Sequence, residues 1–258
     1  MMELIENTLL QAIEPITLKQ MDNVKLMDRT DTKFTFHITQ LQEILLAIKD
    51  DYRVLHVAKK PISKYETLYY DTANFDLYLK HHNGKLNRYK IRHRTYVESS
   101  IGFLEVKFKN NKGRTIKDRI KHLDVPQVFD TESIDFLNTK LPFEPQTLVP
   151  VIWVNYSRIT LVSKTNAERV TIDLNMVFDN GKTKQALTNL VIAEVKQDNK
   201  KESKFLTAMK SKHIREGSLS KYCMAIATLN NDVKKNSFKT KLNQINKILN
   251  YDITTSIN

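Results

Sequence analysis

A period of two in the distribution of charge most constrains how this chain can fold. Residues 86–96 read LNRYKIRHRTY. In an extended chain successive side chains point to opposite faces, so Arg88, Lys90, Arg92 and Arg94 share one side while Tyr89, Ile91 and His93 share the other. Four like charges at that spacing repel each other, so an anionic partner must offset the repulsion or water must solvate the face freely. The pattern recurs along the chain. RTDTKFTF sets Arg29, Asp31 and Lys33 against Thr32, Phe34 and Phe36. FLEVKFK sets Glu105, Lys107 and Lys109 against Leu104, Val106 and Phe108, and TIKDRIK sets Lys117, Arg119 and Lys121 against Ile116 and Ile120. In the second half NYSRIT aligns Tyr156, Arg158 and Thr160. ERVTIDLN aligns Arg169, Thr171 and Asp173 against Val170, Ile172 and Leu174, and IAEVKQ aligns Glu194 and Lys196 against Val195. YETLYYDT and DYRVLHV read as two further strands.

So many alternating strands exceed what a small open sheet needs, and the connections HHNGK, NNKGR and DNGK suit antiparallel neighbours. The simplest arrangement is an α+β fold built on a closed antiparallel β-barrel. An ordinary soluble barrel would turn its apolar side inward and leave the charges in water, which explains any one strand well. The set is explained better by the reverse, because charges of mainly one sign recur at strand centres with a single carboxylate often beside them. The barrel is then a charge-lined tunnel with helices such as ITQLQEILLAIKD, TESIDFLNTKL and the carboxy-terminal segments packed on the outside.

Composition narrows the function classes. A chain of 258 residues with net charge +12 suits one large domain and a polyanionic partner. Part of the excess is a lysine and asparagine bias, and the lysine-rich stretches from Lys200 to Lys204 and from Lys234 to Lys239 read as solvated surface. The single cysteine, Cys223, permits no internal disulfide and fits a reducing compartment. The amino terminus, MMELIENTLL, lacks the pattern of a signal peptide, and no apolar run reaches the ~20 residues that span a bilayer. The expectation is a cytoplasmic protein with no membrane span.

The series TDTKF, ETLYYDT, RYKIRHRTY, FLEVKFK, NYSRIT, RVTIDLN, IAEVK and SLSKYCMA resembles the VTC domain, the catalytic domain of the vacuolar transporter chaperone polyphosphate polymerases. That domain falls within the triphosphate tunnel metalloenzymes, related to CYTH-type phosphatases. The resemblance spans roughly residues 24–230, leaving an N-terminal helical segment, 1–23, and a C-terminal helical tail, 231–258. It implies phosphate-binding roles for Lys33, Arg92, Arg94, Lys107, Lys117 or Arg119, Arg158, Arg169 and Lys196. Lys221 matches a lysine near the tunnel mouth on a closing helix, and with Arg92 and Arg94 makes the expected catalytic set. Glu194 matches the acidic ligand of a divalent metal, Mn²⁺ or Mg²⁺. Many tunnel enzymes begin with a Glu-x-Glu-x-Lys strand, where this chain has Arg29, Asp31 and Lys33. Arg29 cannot ligate a cation, which argues against a second, hydrolytic metal site.

The residue types agree with this chemistry. Arginine forks at two-residue intervals on several strands meet the successive phosphates of a linear chain with charge-assisted hydrogen bonds. Phosphoryl transfer needs mainly positioning and charge stabilisation. Glu105 and Asp173 read equally as further metal ligands or as counter-charges within the lining. His37, His93 and Cys223 read as packing or surface residues, and Tyr69, Tyr70 and Tyr222 as core or lining aromatics. The leading function is a polyphosphate polymerase-like transferase acting on ATP and inorganic polyphosphate. Its rivals are a hydrolase of tripolyphosphate or nucleoside triphosphates and a non-catalytic polyanion binder. A nucleic-acid partner is not expected, since an enclosed tunnel admits a linear phosphate chain more readily than a duplex, and any coupling to transport would need a membrane partner protein.

Overall fold

The computed structural model of the chain describes residues 5–21, 29–198, 202–251 and 253. Parts of the expected terminal segments and Lys200 and Lys201 of the lysine-rich stretch lie outside these, as does the side chain of Arg29. The strands are β1 (Pro15–Ile16), β2 (Arg29–His37), β3 (Tyr52–Leu55), β4 (Ile62–Thr72), β5 (Arg88–Tyr96), β6 (Ile101–Lys109), β7 (Thr115–Lys121), β8 (Leu148–Ser163), β9 (Glu168–Asp179), β10 (Lys184–Leu187), β11 (Leu190–Asp198) and β12 (Glu216–Gly217). They form one sheet whose main path runs β12-β2-β11-β9-β8-β4-β5-β6-β7. Every pairing on that path is antiparallel. Among the described residues no ladder joins β7 to β12, so the closure into a barrel expected from the strand count is not among the pairings.

The period of two sorts the side chains as the sequence suggests. Ile91, Leu104 and Val106 enter one buried cluster with Leu137 of a covering helix, and Phe34, Phe36, Ile172, Ala193 and Val195 enter another. Helices supply the opposing surface because an apolar sheet face must be covered. Helix α1 (Leu41–Ile48) buries Leu41, Ile44, Leu45 and Ile48, the one-face spacing of a helix. The others labelled here are α2 (Asp76–His82), α3 (Thr131–Asn138), α4 (Lys204–Ser211), α5 (Lys221–Leu229) and α6 (Lys239–Leu249). The oxygens of Asp130, Ser203 and Ser220 cap α3, α4 and α5 by accepting from the amides of Ser133, Leu206 and Cys223, the usual means of satisfying a helix start. Among the described residues no helix is long and apolar enough to cross a membrane.

NNKGR and DNGK are hairpin turns, joining β6 to β7 and β9 to β10. HHNGK is not. It closes α2, which is inserted between β4 and β5, with Gly84 in the left-handed region at φ +69°. The cause lies upstream. The fully buried Asp71 carboxylate accepts the amides of Thr72 at 2.7 Å and of Leu77 and Tyr78 at 2.9 Å, which fixes the first turn of α2. It also accepts the hydroxyl of Tyr222 from α5.

Gly102 marks a close approach in β6. A Cβ there would lie 2.2 Å from the carbonyl oxygen of His122 and 2.9 Å from the ring of His93. Gly102→Ala is expected to destabilise the protein by roughly 1–3 kcal/mol, lowering the melting temperature by several degrees in thermal unfolding. Gly217→Ala, which meets nothing within 4 Å, should leave it unchanged.

Candidate functional site

The charged face of the sheet encloses a cavity of about 1310 Å³. Three carboxylates in its wall are each gripped by two cations. Glu105, with no exposed surface, accepts from Arg92 Nε at 2.7 Å and Nη2 at 2.6 Å, and pairs with Lys117. Asp173 accepts from Arg158 Nε at 2.6 Å and Nη2 at 2.9 Å, and from Lys221 Nζ at 2.5 Å. Glu194 pairs with Lys33 at 2.6 Å and with Lys196. Burial alone would push these carboxyls up, but the surrounding cations outweigh it. Arg92, Arg94 and Lys117 hold Glu105 well below the usual carboxylate range, Lys196 and Lys33 do the same for Glu194, and Arg158 and Lys221 bring Asp173 to about 2.

Arg94 and Arg119 have no such carboxylate partner among the described residues. Arg94 donates to Thr67 Oγ1 at 3.3 Å; Arg119 lies over the ring of Phe103 at 4.2 Å. Tyr65 and Tyr156 stack with centroids 5.3 Å apart. Arg94 and Arg158 each face both rings, and Lys221 faces Tyr156 at 5.1 Å. The aromatic faces attract these cations without taking their N–H donors as a carboxylate would.

The register places Lys90, Lys107 and Lys117 directly opposite one another on β5, β6 and β7. Arg92 and then burial depress the Lys107 ammonium well below the usual lysine range, with Arg94 adding to both. Burial lowers Lys90 as well. Burial, only partly offset by Glu105, brings Lys117 down to about 8, and burial does the same for Lys196 against Glu194.

All ten basic residues singled out from the sequence (Lys33, Arg92, Arg94, Lys107, Lys117, Arg119, Arg158, Arg169, Lys196 and Lys221) line this cavity, as does Glu194. Lys117 and Arg119, weighed as alternatives, both do. Glu105 and Asp173 lie within the wall, each held by the two cations described. Cys223 Sγ lies 3.1 Å from His81 Nδ1, His37 caps a short turn, and His93 Nε2 donates to the carbonyl oxygen of His122 at 2.8 Å. Tyr69 lines the cavity, while Tyr70 and Tyr222 are buried. Six charged residues of the cavity lining were missing from the sequence-derived set, among them Glu98 in the short turn after β5. Arg88, Lys90, Lys109 and Asp31 sit on the alternating faces already recognised and could have been included on that signal. Lys241, on α6, shares no strand pattern, and only the packing of that helix brings it to the wall.

Among the described residues no group of three or more His, Cys, Asp or Glu could hold a metal ion. Three carboxylates do line the cavity: Glu98, which accepts the amide of Lys64 at 2.7 Å, and the pair Asp31 and Glu194, diagonal neighbours across the β2–β11 ladder. Mg²⁺ characteristically takes one or two carboxylates together with phosphate oxygens and water. This donor set therefore fits a cation that arrives with phosphate, and does not fit a cage built from protein alone.

Residues 28–230 match the VTC domain family. No curated protein matches the chain. Among solved structures, a candidate adenylate cyclase from Vibrio parahaemolyticus is similar at 12% identity, covering 76% of this chain and 97% of its own, with a TM-score of 0.46. A candidate adenylyl cyclase from Hippeastrum, described as having a dominant triphosphatase activity, is similar at 13% identity over 76% of this chain and 95% of its own, with a TM-score of 0.47. A third, a candidate adenylate cyclase from Bacillus halodurans, shares 12% identity over 75% and 96%, with a TM-score of 0.47.

The depressed lysines make stability depend on pH. At about pH 8, where Lys117 and Lys196 lose their protons in the folded protein, the unfolded chain keeps them up to about 10.4. The unfolded state then binds more protons, so stability rises with pH across that window. Without phosphate, the melting temperature should climb from pH 8 to 9.5. Saturating tripolyphosphate, which favours the protonated lysines, should flatten or reverse the climb.

Proposed function

The chain belongs to the VTC domain family, and from that membership and the cations of its cavity we propose that it is a polyphosphate polymerase-like phosphoryl transferase. It moves the terminal phosphate of ATP onto a polyphosphate chain inside a tunnel formed by the curved sheet. The observation that carries this reading is the excess of cations: Arg94, Lys107 and Arg119 face one cavity with no carboxylate partner among the described residues. A linear polyanion supplies the missing charge at repeated intervals.

In the transfer, a terminal oxygen of the polyphosphate bonds to the γ-phosphorus of ATP while the bond from that phosphorus to the β–γ bridging oxygen breaks, and ADP leaves. Arg92, Arg94 and Lys221 stabilise the charge on the oxygens of the transferring group. Lys33, Lys107, Lys117, Arg119, Arg158, Arg169 and Lys196 hold the flanking phosphates in line. Glu194, with Asp31 beside it, would hold the divalent cation, Mn²⁺ or Mg²⁺. When bound, that ion neutralises charge on the phosphate oxygens.

Incubating the protein with ATP and Mn²⁺, and following phosphate release and polymer length together, tests the reading. Long chains are expected. Free phosphate alone would make the protein a hydrolase, and tight binding with neither product would make it a binding module. Glu194→Gln should lower turnover by orders of magnitude while metal-free polyphosphate affinity persists or tightens, because one negative charge has left a basic cavity. Arg94→Leu should weaken polyphosphate binding about tenfold or more, with or without metal, as expected for loss of a charge-assisted contact.

A further inference from the structure

Thr171 lies in the middle of β9, on the cavity wall and only 5% exposed, and its hydroxyl has no hydrogen-bond partner among the described residues. A buried hydroxyl left unpaired opposes folding, whereas valine has the same shape without the cost. The register supplies a reason for keeping it. Thr171 stands directly opposite Glu194 of β11, and directly paired side chains on one face have Cβ atoms about 4.5–5.5 Å apart. That is within reach of a bond from hydroxyl to carboxylate.

In the protein alone, the Glu194 oxygens are taken by Lys33 at 2.6 Å and by Lys196. Both lysines line the cavity, so a phosphate chain lying there competes with Glu194 for them. A largely buried carboxylate losing these donors needs a replacement, and the unengaged hydroxyl stands across the ladder. We propose that Thr171 is a positioning residue, whose hydroxyl donates to Glu194 once phosphate has drawn Lys33 and Lys196 away and so aims that carboxylate at a divalent cation. The inference rests on the phosphoryl-transfer reading of the same cavity and adds a residue to it.

The test compares Thr171→Val and Thr171→Ser with the parent, titrating tripolyphosphate calorimetrically in EDTA and in Mn²⁺. Without phosphate, Thr171→Val should melt at the parent's temperature or higher. Its tripolyphosphate affinity in EDTA should stay within about twofold of the parent's. The further affinity contributed by Mn²⁺ should fall about 10- to 100-fold, the usual effect of losing a partner that orients a metal ligand, and Thr171→Ser should restore it. In a Glu194→Gln background Thr171→Val should cost nothing more, since the two act as one unit. The inference is overturned if Thr171→Val retains the parent's Mn²⁺-dependent affinity. It is equally overturned if affinity in EDTA falls by as much, since the hydroxyl would then touch phosphate directly. Absence of any Mn²⁺-dependent affinity in the parent would overturn the inference together with metal-assisted transfer, whereas a parent that has it and a valine variant that keeps it leave that function standing.

Discussion

A carboxylate held between two cations is the unit on which the cavity wall depends. Unit charges about 4 Å apart interact by roughly 4 kcal/mol at the effective dielectric near a protein surface, so the basic lining could not be assembled on bare strands without compensation. Glu105 and Asp173 each join cations from two neighbouring elements, and Glu194 joins Lys33 of β2 to Lys196 of its own strand. Each unit leaves one positive charge over. The wall is thereby compensated enough to fold and still basic enough to receive an anion. Tyr65 and Tyr156 play a complementary part, since a π face steadies a guanidinium while leaving its N–H donors for another acceptor.

The faces of the strands were legible in the sequence because side-chain alternation is local: reading Arg92 places Arg94 on the same side whatever the partner strand. Who pairs with whom was not legible, because it depends on register between strands far apart in the chain. FLEVKFK alone cannot say that Glu105 will meet Arg92 of one neighbour and Lys117 of the other, so counter-charge and metal ligand looked alike there. The same limit hid Thr171, whose interest comes from standing opposite Glu194. HHNGK looked like a hairpin because glycine after asparagine serves a turn and a helix end equally well. The deciding residue, Asp71, lies ten positions earlier and acts through amides that sequence pattern does not reveal. Lys241 depended on how a helix packs, which strand alternation does not address.

Helix α5 carries Lys221 into the cavity, and every residue from Tyr222 to Leu229 on it is buried. Tyr222 bonds the buried Asp71 and stacks on Tyr69 with ring centroids 5.0 Å apart. A helix embedded so deeply cannot swing aside as a lid without exposing core. The position of the Lys221 ammonium is therefore coupled to the cooperative integrity of the whole domain. Substitutions on the apolar side of α5, remote from any phosphate, would register in a cell as lost abundance and lost activity at once, and only specific activity per folded molecule would tell the two apart.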